Sequence, residues 1–127
     1  MRVALDTSAL MMPVELDVRL FDELARVAEG YDAVVPEAVV EELRELSAGG
    51  GGIEGTAASV GYDLAVDRCE RVDTEASYAD DALVELAAEE RVDAVVTNDQ
   101  PLRDRVLDAN VPVIALRGTN KLDITRP

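Results

Sequence analysis
The chain has 127 residues, 48% apolar and 31% charged, with 12 basic against 27 acidic side chains, no His, no Trp and one Cys. That length suits one domain, residues 1–127, with a sizeable core. Aromatics at 3% leave Val, Leu, Ile, Ala and Met to fill it. The lone Cys69 excludes an intramolecular disulfide, and the absence of His excludes finger-type zinc sites and Ser-His-Asp or Cys-His nucleophiles, so any chemistry here runs mainly on carboxylates.

In chain order, Arg2 to Leu5 reads as a short apolar strand stopping at Asp6-Thr7-Ser8. Leu16, Leu20, Leu24 and Val27 recur at helical spacing and predict one helix over Val14–Ala28, with Gly30 as its stop. Asp32 to Val35 is a second strand, and Pro36 opens a helix to about Leu46. Gly49 to Gly52 forms a flexible break too short to part domains, followed by a Gly-weakened helix over roughly 54–67. Arg71 to Asp73 is a brief strand. Ser77 begins a helix to about Glu90, with Asp80 completing a capping box. Ala94 to Thr97, Pro101 to Asn110 and Val113 to Leu116 read as strand, helix and strand. The last stretch, 117–127, holds Arg117, Lys121 and Arg126 against Asp123 alone, a short basic tail.

Short apolar strands alternating with helices predict an α/β fold, a parallel sheet covered on both faces. Ligands in such folds bind beyond the carboxyl ends of the strands. Two of those ends are acidic: Asp6 after the first strand and Asp99 after the fourth. The pair Asp80-Asp81 opens a helix, and Glu42 lies within one. On a wheel anchored at Val39, Glu42 falls at about 300°, bordering the apolar face, with Glu41 and Glu45 further out at about 200° and 240°. Gathered carboxylates repel one another, and a hard divalent cation, Mg²⁺ or Mn²⁺, removes that repulsion through oxygen ligands. Taken singly, Asp6, Asp80 and Asp99 are also ordinary cap or turn residues, and Glu42 a solvated helix acid.

Asp6-Thr7-Ser8-Ala9-Leu10, Val39-Val40-Glu41-Glu42-Leu43, Ala79-Asp80-Asp81-Ala82-Leu83 and Val95-Val96-Thr97-Asn98-Asp99 with Leu102 resemble, in order and over nearly the whole chain, the four acidic motifs of PIN domains. The forms around Asp80 and Asp99 resemble archaeal PIN proteins related to small-subunit ribosomal RNA processing nucleases, and VapC-type toxins are close relatives. The resemblance implies a three-layer α/β/α fold and a metal-dependent endoribonuclease. Asp6, Asp99 and one of Asp80 or Asp81 would hold the metal, and Glu42 would be a ligand or the base that orients water. Thr7, Ser8, Thr97 and Asn98 would orient these carboxylates. The first motif often reads Asp-Thr-Asn, and here Ser8 stands in the third place. In the third motif, spacing to Asp99 in toxin-like relatives favours Asp81, and the helical wheel favours Asp80. The resemblance further implies RNA as substrate and an antitoxin, a ribosome-assembly factor or a second copy of the chain as protein partner. Arg103, Arg105, Arg117 and Lys121 are the candidate phosphate contacts, each weighed against a surface Arg or Lys pairing with nearby acids such as Asp104 or Asp108.

A phosphoaspartyl receiver would carry its acidic pair directly after the first strand. A haloacid-dehalogenase-like phosphatase would need an Asp where Ser8 stands. The Gly49–Gly52 run lacks the Lys-Ser/Thr of a nucleotide loop. The rival from another class is a catalytically silent PIN-like module that binds RNA or protein, against which the retention of all four acidic positions speaks. One unpaired Cys suits a reducing cytoplasm. No apolar run reaches the roughly 18 residues of a membrane span, and MRVALDTSAL is too acidic for a signal peptide. A cytoplasmic protein away from membranes is therefore expected.

The net charge is −15, and Lys121 is the only lysine. A saline, halophilic cytoplasm accounts for both, because screening within roughly 10 Å needs about 0.1 M salt. Phosphate contacts weaken as salt rises, whereas self-repulsion and repulsion of RNA are relieved by it. With this charge the second effect wins, so folding and Mn²⁺-dependent RNA cleavage should both increase from about 0.1 M toward 1–2 M KCl. Circular dichroism and a cleavage assay across that range check it. A chain most active and fully folded in dilute buffer would sink the halophilic reading.

Overall fold
The computed structural model describes residues 1–127. Its elements are β1 (Arg2–Leu5), α1 (Thr7–Glu15), α2 (Leu20–Val27), β2 (Asp32–Pro36), α3 (Glu37–Gly49), α4 (Gly52–Arg68), β3 (Glu70–Val72), α5 (Ala79–Ala88), β4 (Ala94–Val96), α6 (Gln100–Asp108), β5 (Val113–Arg117) and β6 (Lys121–Thr125). The strands form one sheet in the order β3-β2-β1-β4-β5-β6. Every pairing is parallel except β5 with β6. Right-handed crossovers put the helices between leftward-stepping strands on one face and those between rightward-stepping strands on the other. Accordingly α1, α2, α3 and α4 pack among themselves, α5 packs on α6, and α3 also meets α5. The order reverses between β1 and β4, which places the crevice of the fold at their carboxyl ends.

Apolar sequence decides which strands are central. Val3, Ala4 and Leu5 of β1 and Ala94, Val95 and Val96 of β4 are completely buried, as strands covered on both faces must be. Leucines from all the helices except α4 close over them, chief among them Leu10, Leu20, Leu24, Leu43, Leu83, Leu86 and Leu102. The few aromatics stay out of this core; Phe21 is half-buried and carries the Arg68 guanidinium 4.2 Å from its ring centre.

The expected α/β architecture is present, with four local corrections. The single helix expected over Val14–Ala28 is two. α1 starts directly after Asp6, runs through Pro13, and ends before a turn in which Asp17 adopts φ +53°. Leu16, counted on the apolar stripe, lies in that turn and is exposed. The Ser77–Asp80 capping box does not form: α5 begins at Ala79, Tyr78 is its N-cap, and no side chain caps it. The basic tail expected over 117–127 is largely sheet, since Lys121–Thr125 pair antiparallel with β5 as an edge strand. The glycine break shrinks to Gly50-Gly51, because α3 runs to Gly49 and α4 starts at Gly52.

The glycines of α4 are also more than a weakness. A Cβ on Gly61 would lie 2.9 Å from the Leu10 carbonyl oxygen and 3.2 Å from Leu43 Cδ2; one on Gly55 would lie 2.3 Å from the Gly50 oxygen. Small residues let α4 lie against α1 and α3, with Ala57, Ala58 and Ala65 buried there. In an ordinary helix Gly→Ala gains about 1 kcal/mol. Here Gly61→Ala should lower stability by about 1–3 kcal/mol, the range for overpacking, read as a lower melting temperature. A variant melting at or above the parent would refute this contact.

Candidate active site
β1 ends in Asp6, whose backbone N–H donates to the Val96 carbonyl of β4 (3.1 Å) and whose side chain caps α1 by accepting from Ala9 N–H at 2.8 Å. Ser8 Oγ donates to Oδ1 (2.8 Å) and lies 3.0 Å from Oδ2, and Thr97 Oγ1, from the end of β4, donates to Oδ2. These hydroxyls are themselves held. Ser8 Oγ accepts from Asn98 N–H at 3.0 Å and Thr97 Oγ1 from Asp99 N–H at 3.0 Å. Asn98 Oδ1 accepts from Leu116 N–H of β5 at 3.0 Å, and Asp99 caps α6 by accepting from Leu102 N–H at 3.3 Å. One network thus fixes the ends of β1, β4 and β5 around the Asp6 carboxylate.

An open cavity of about 360 Å³ lies over this network. Asp6, Thr7, Ser8, Glu42, Asp80 and Asp99 all line it. Of the acidic pair, Asp80 faces the cavity, while Asp81 turns to α6 and pairs with Arg105 Nη2 at 2.9 Å. Glu41 pairs with Arg44 on the outer face of α3, leaving Glu42 toward the cavity. Thr97 and Asn98 lie beneath, in the network. Glu15, Glu54, Met11 and Leu46 also line the cavity and were not anticipated. For α1 the signal was available: Thr7, Met11 and Glu15 recur every four residues on one helix face. Glu54 comes from the first turn of α4 and is brought here only by the α3–α4 packing.

No basic side chain lines this cavity. Asp6 is only 3% exposed, and burial pushes its carboxyl up to about 6, with Asp80 adding to the rise and Thr97, Ala9 and Ser8 opposing it. Asp80 is raised as well, first by partial burial and then by Asp99 and Glu42. The carboxylates line the walls without closing on a point: no three acidic side chains stand close enough here to hold one ion. Their chemistry nonetheless fits a hard divalent cation, since every charged donor is an oxygen. The Thr7 hydroxyl in the same wall is buried with no hydrogen-bond partner.

The candidate phosphate contacts divide between two places. Arg103 and Arg105 lie on α6. Arg105 is paired with Asp81 and not with Asp104 or Asp108, and Arg103 Nη1 contacts Gln100 at 3.4 Å. Arg117 and Lys121 face each other across β5 and β6, together with Arg26 of α2, which the sequence did not single out.

A mostly parallel, doubly wound sheet with a carboxylate cavity at its switch point defines a PIN-type domain. The chain belongs to the PIN-like domain family, which matches residues 3–119. It is similar to Ribonuclease VapC4 of Methanocaldococcus jannaschii, 36% identical over 53 residues, a segment covering 42% of this chain and 40% of that protein. Among solved structures, the PIN domain endonuclease Utp24 superposes with a TM-score of 0.80 at 23% identity, over 99% of this chain and 92% of that one. VapBC2 of Rickettsia felis, solved bound to a DNA fragment from its promoter, gives 0.68 at 14% identity, over 92% and 100%. These superpositions establish the fold. No helix is long and apolar enough to cross a membrane.

The buried acid has a thermodynamic signature. Because the folded-state value of Asp6 lies above the unfolded one, the native state binds more protons between about pH 4 and 6, and stability falls as pH rises through that window. Above it the full penalty, up to about 3 kcal/mol, is present. In metal-free buffer Asp6→Asn should therefore be more stable than the parent at about pH 7.5, with the gap closing toward pH 4. Urea titrations across this range decide; equal stability at the upper end would contradict a buried, unpaired Asp6.

Proposed function
We propose that this chain is a divalent-metal-dependent endoribonuclease, a hydrolase of RNA phosphodiester bonds. The observation that carries the reading is the buried Asp6 carboxylate, opening into one cavity with Glu42, Asp80 and Asp99 and no counter-charge on its walls. A pure scaffold gains nothing from such repulsion, and a site for Mg²⁺ or Mn²⁺ needs it. Asp6, Asp80 and Asp99 would hold the metal, and Glu42, reaching in from α3, would be a further ligand or would orient the attacking water. When bound, the ion activates water and stabilises the charge of an in-line phosphoryl displacement. Ser8 and Thr97 keep the Asp6 carboxylate in one rotamer, as partners of ligating carboxylates do. Asp81, neutralised by Arg105, would stand aside as the neighbour that keeps α6 beside α5. The choice of RNA over DNA is supported by the similarity to a ribonuclease. An antitoxin or a ribosome-assembly factor is the kind of partner that pull-down from the source cell would reveal.

Asp6→Asn and Asp99→Asn should each lose more than about 100-fold in cleavage rate, beyond the 10–100-fold typical of groups that only support a ligand. EDTA should abolish cleavage by the parent, and millimolar Mn²⁺ should raise the parent's melting temperature but not that of Asp6→Asn. An Asp6→Asn chain that cleaves at the parental rate overturns the mechanism. A parent that neither cleaves RNA nor gains stability from Mn²⁺ is the silent binding module instead.

A further inference from the structure
Away from the acidic site, a cavity of about 370 Å³ is lined by Arg26, Arg117, Lys121, Leu122 and Asp123. Three of the chain's twelve cations, its only lysine among them, meet there on a protein of net charge −15. Arg117 and Lys121 are direct cross-strand partners in the β5–β6 pairing, and like charges so placed repel. Strand periodicity keeps Asp123 on the same face, where it takes Arg117 Nη1 at 2.6 Å.

The remaining pairings are loose or serve the fold. Lys121 Nζ stands 3.8 Å from Glu23. Arg26 is anchored by Glu23 at 2.8 Å and by the Leu122 carbonyl at 2.6 Å, so its guanidinium is already fixed at the cavity wall. Glu23 also accepts from Leu122 N–H at 2.8 Å, which makes it a structural hub beneath the cavity. Exposed ion pairs contribute little, so an incoming anion can displace Asp123 from Arg117. A phosphate suits these groups, because Arg offers a planar fork and Lys a mobile point charge.

Position links this cavity to the acidic one. Arg117 follows Leu116, whose N–H is held by Asn98, the neighbour of Asp99. β4 and β5 are adjacent and parallel, about 4.8 Å apart, so both cavities lie toward the carboxyl end of the same sheet. We propose that Arg26, Arg117 and Lys121 form a second phosphate site, holding a backbone phosphate of the RNA a few nucleotides from the one at the acidic cavity. The inference rests on the nuclease reading for the identity of that RNA.

The test is binding, kept separate from cleavage. A fluorescein-labelled single-stranded RNA of about ten nucleotides is titrated in EDTA, from about 0.3 to 1 M KCl, with the parent and with Arg117→Gln/Lys121→Gln. Arg26 is left intact because it holds Glu23. The double variant should bind about tenfold or more weakly at the lower salt, and the slope of log affinity against log salt should fall by about 0.7 for each phosphate released. Circular dichroism verifies the fold, and Lys121→Gln alone, with half the change in charge, serves if the double variant does not fold. Equal affinity and slope for parent and variant overturn the proposal, as does a cavity occupied by a poly-glutamate peptide in preference to RNA. A parent that binds through these residues yet cleaves nothing fails the nuclease reading alone. A parent that cleaves while the variant binds equally well fails this inference alone.

Discussion
The Asp6 carboxylate is the point on which the strand ends depend. It terminates β1, caps α1 through Ala9 N–H, and accepts the hydroxyl of Thr97 from β4. A carboxylate removed from water is costly unless paired or well hydrogen-bonded. Here it is hydrogen-bonded but not paired with a cation, which leaves it raised to about 6. The hydrogen bonds keep it in place, and the missing counter-charge keeps it available. Replacing Asp6 by a neutral cap would serve α1 and the sheet as well, so stability alone does not account for an acid at this position. The same holds for Asp99, which caps α6 from the next strand end.

How much of this was legible in the sequence depended on the range of the interaction. β1 and β4 are short, apolar and end in acids, so local pattern located both strand ends at Asp6 and Asp99. The side-chain periodicity of α3 separated Glu42 from Glu41 and Glu45. α1 was missed because Asp6-Thr7-Ser8 reads equally as a turn, and Pro13 argued against a helix spanning it. The choice between Asp80 and Asp81 turned on what each meets, and the decisive partner, Arg105, is 24 residues away on α6. The capping box failed for a related reason. Asp80 stands in the wall of the acidic cavity, so it is not turned back to cap its own helix.

The basic end of the chain shows the same limit. Alternation in Lys121–Thr125 is weak, and a run with three cations reads as solvated tail. It becomes strand because β5 offers an open edge and because Glu23, on α2, fixes it from the side. The Glu23 carboxylate takes Leu122 N–H, the Arg26 guanidinium and, more distantly, Lys121, and those interactions with Arg26 and Leu122 hold its carboxyl down at about 2. No local pattern announces a pairing across 99 residues. An exposed edge is also a liability for aggregation, which charged residues at its rim counter. That requirement alone would be met by acids, as on most of this surface.

The sign of the charge at the β5–β6 edge therefore needs its own explanation. Twenty-seven acids cover the molecule, and a polyanion approaching it meets repulsion over most of its surface. Local attraction then has to come from a few cations held together, since a scattered arginine next to two acids attracts nothing at a Debye length of about 8–10 Å. Most arginines here are indeed consumed one by one, as with Arg44 by Glu41, Arg71 by Glu37 and Arg105 by Asp81. Arg26, Arg117 and Lys121 share two acids between three cations and leave a net positive charge facing solvent. Orientation follows from the asymmetry: an anionic chain is drawn to the hairpin end of the sheet and repelled along the acidic wall. That wall becomes tolerable to a phosphate only where a divalent cation would offset Asp6, Asp80 and Asp99. In such an arrangement, binding and chemistry are separated along one sheet edge, with Asn98 tying the strand end that carries Arg117 to the one that carries Asp99.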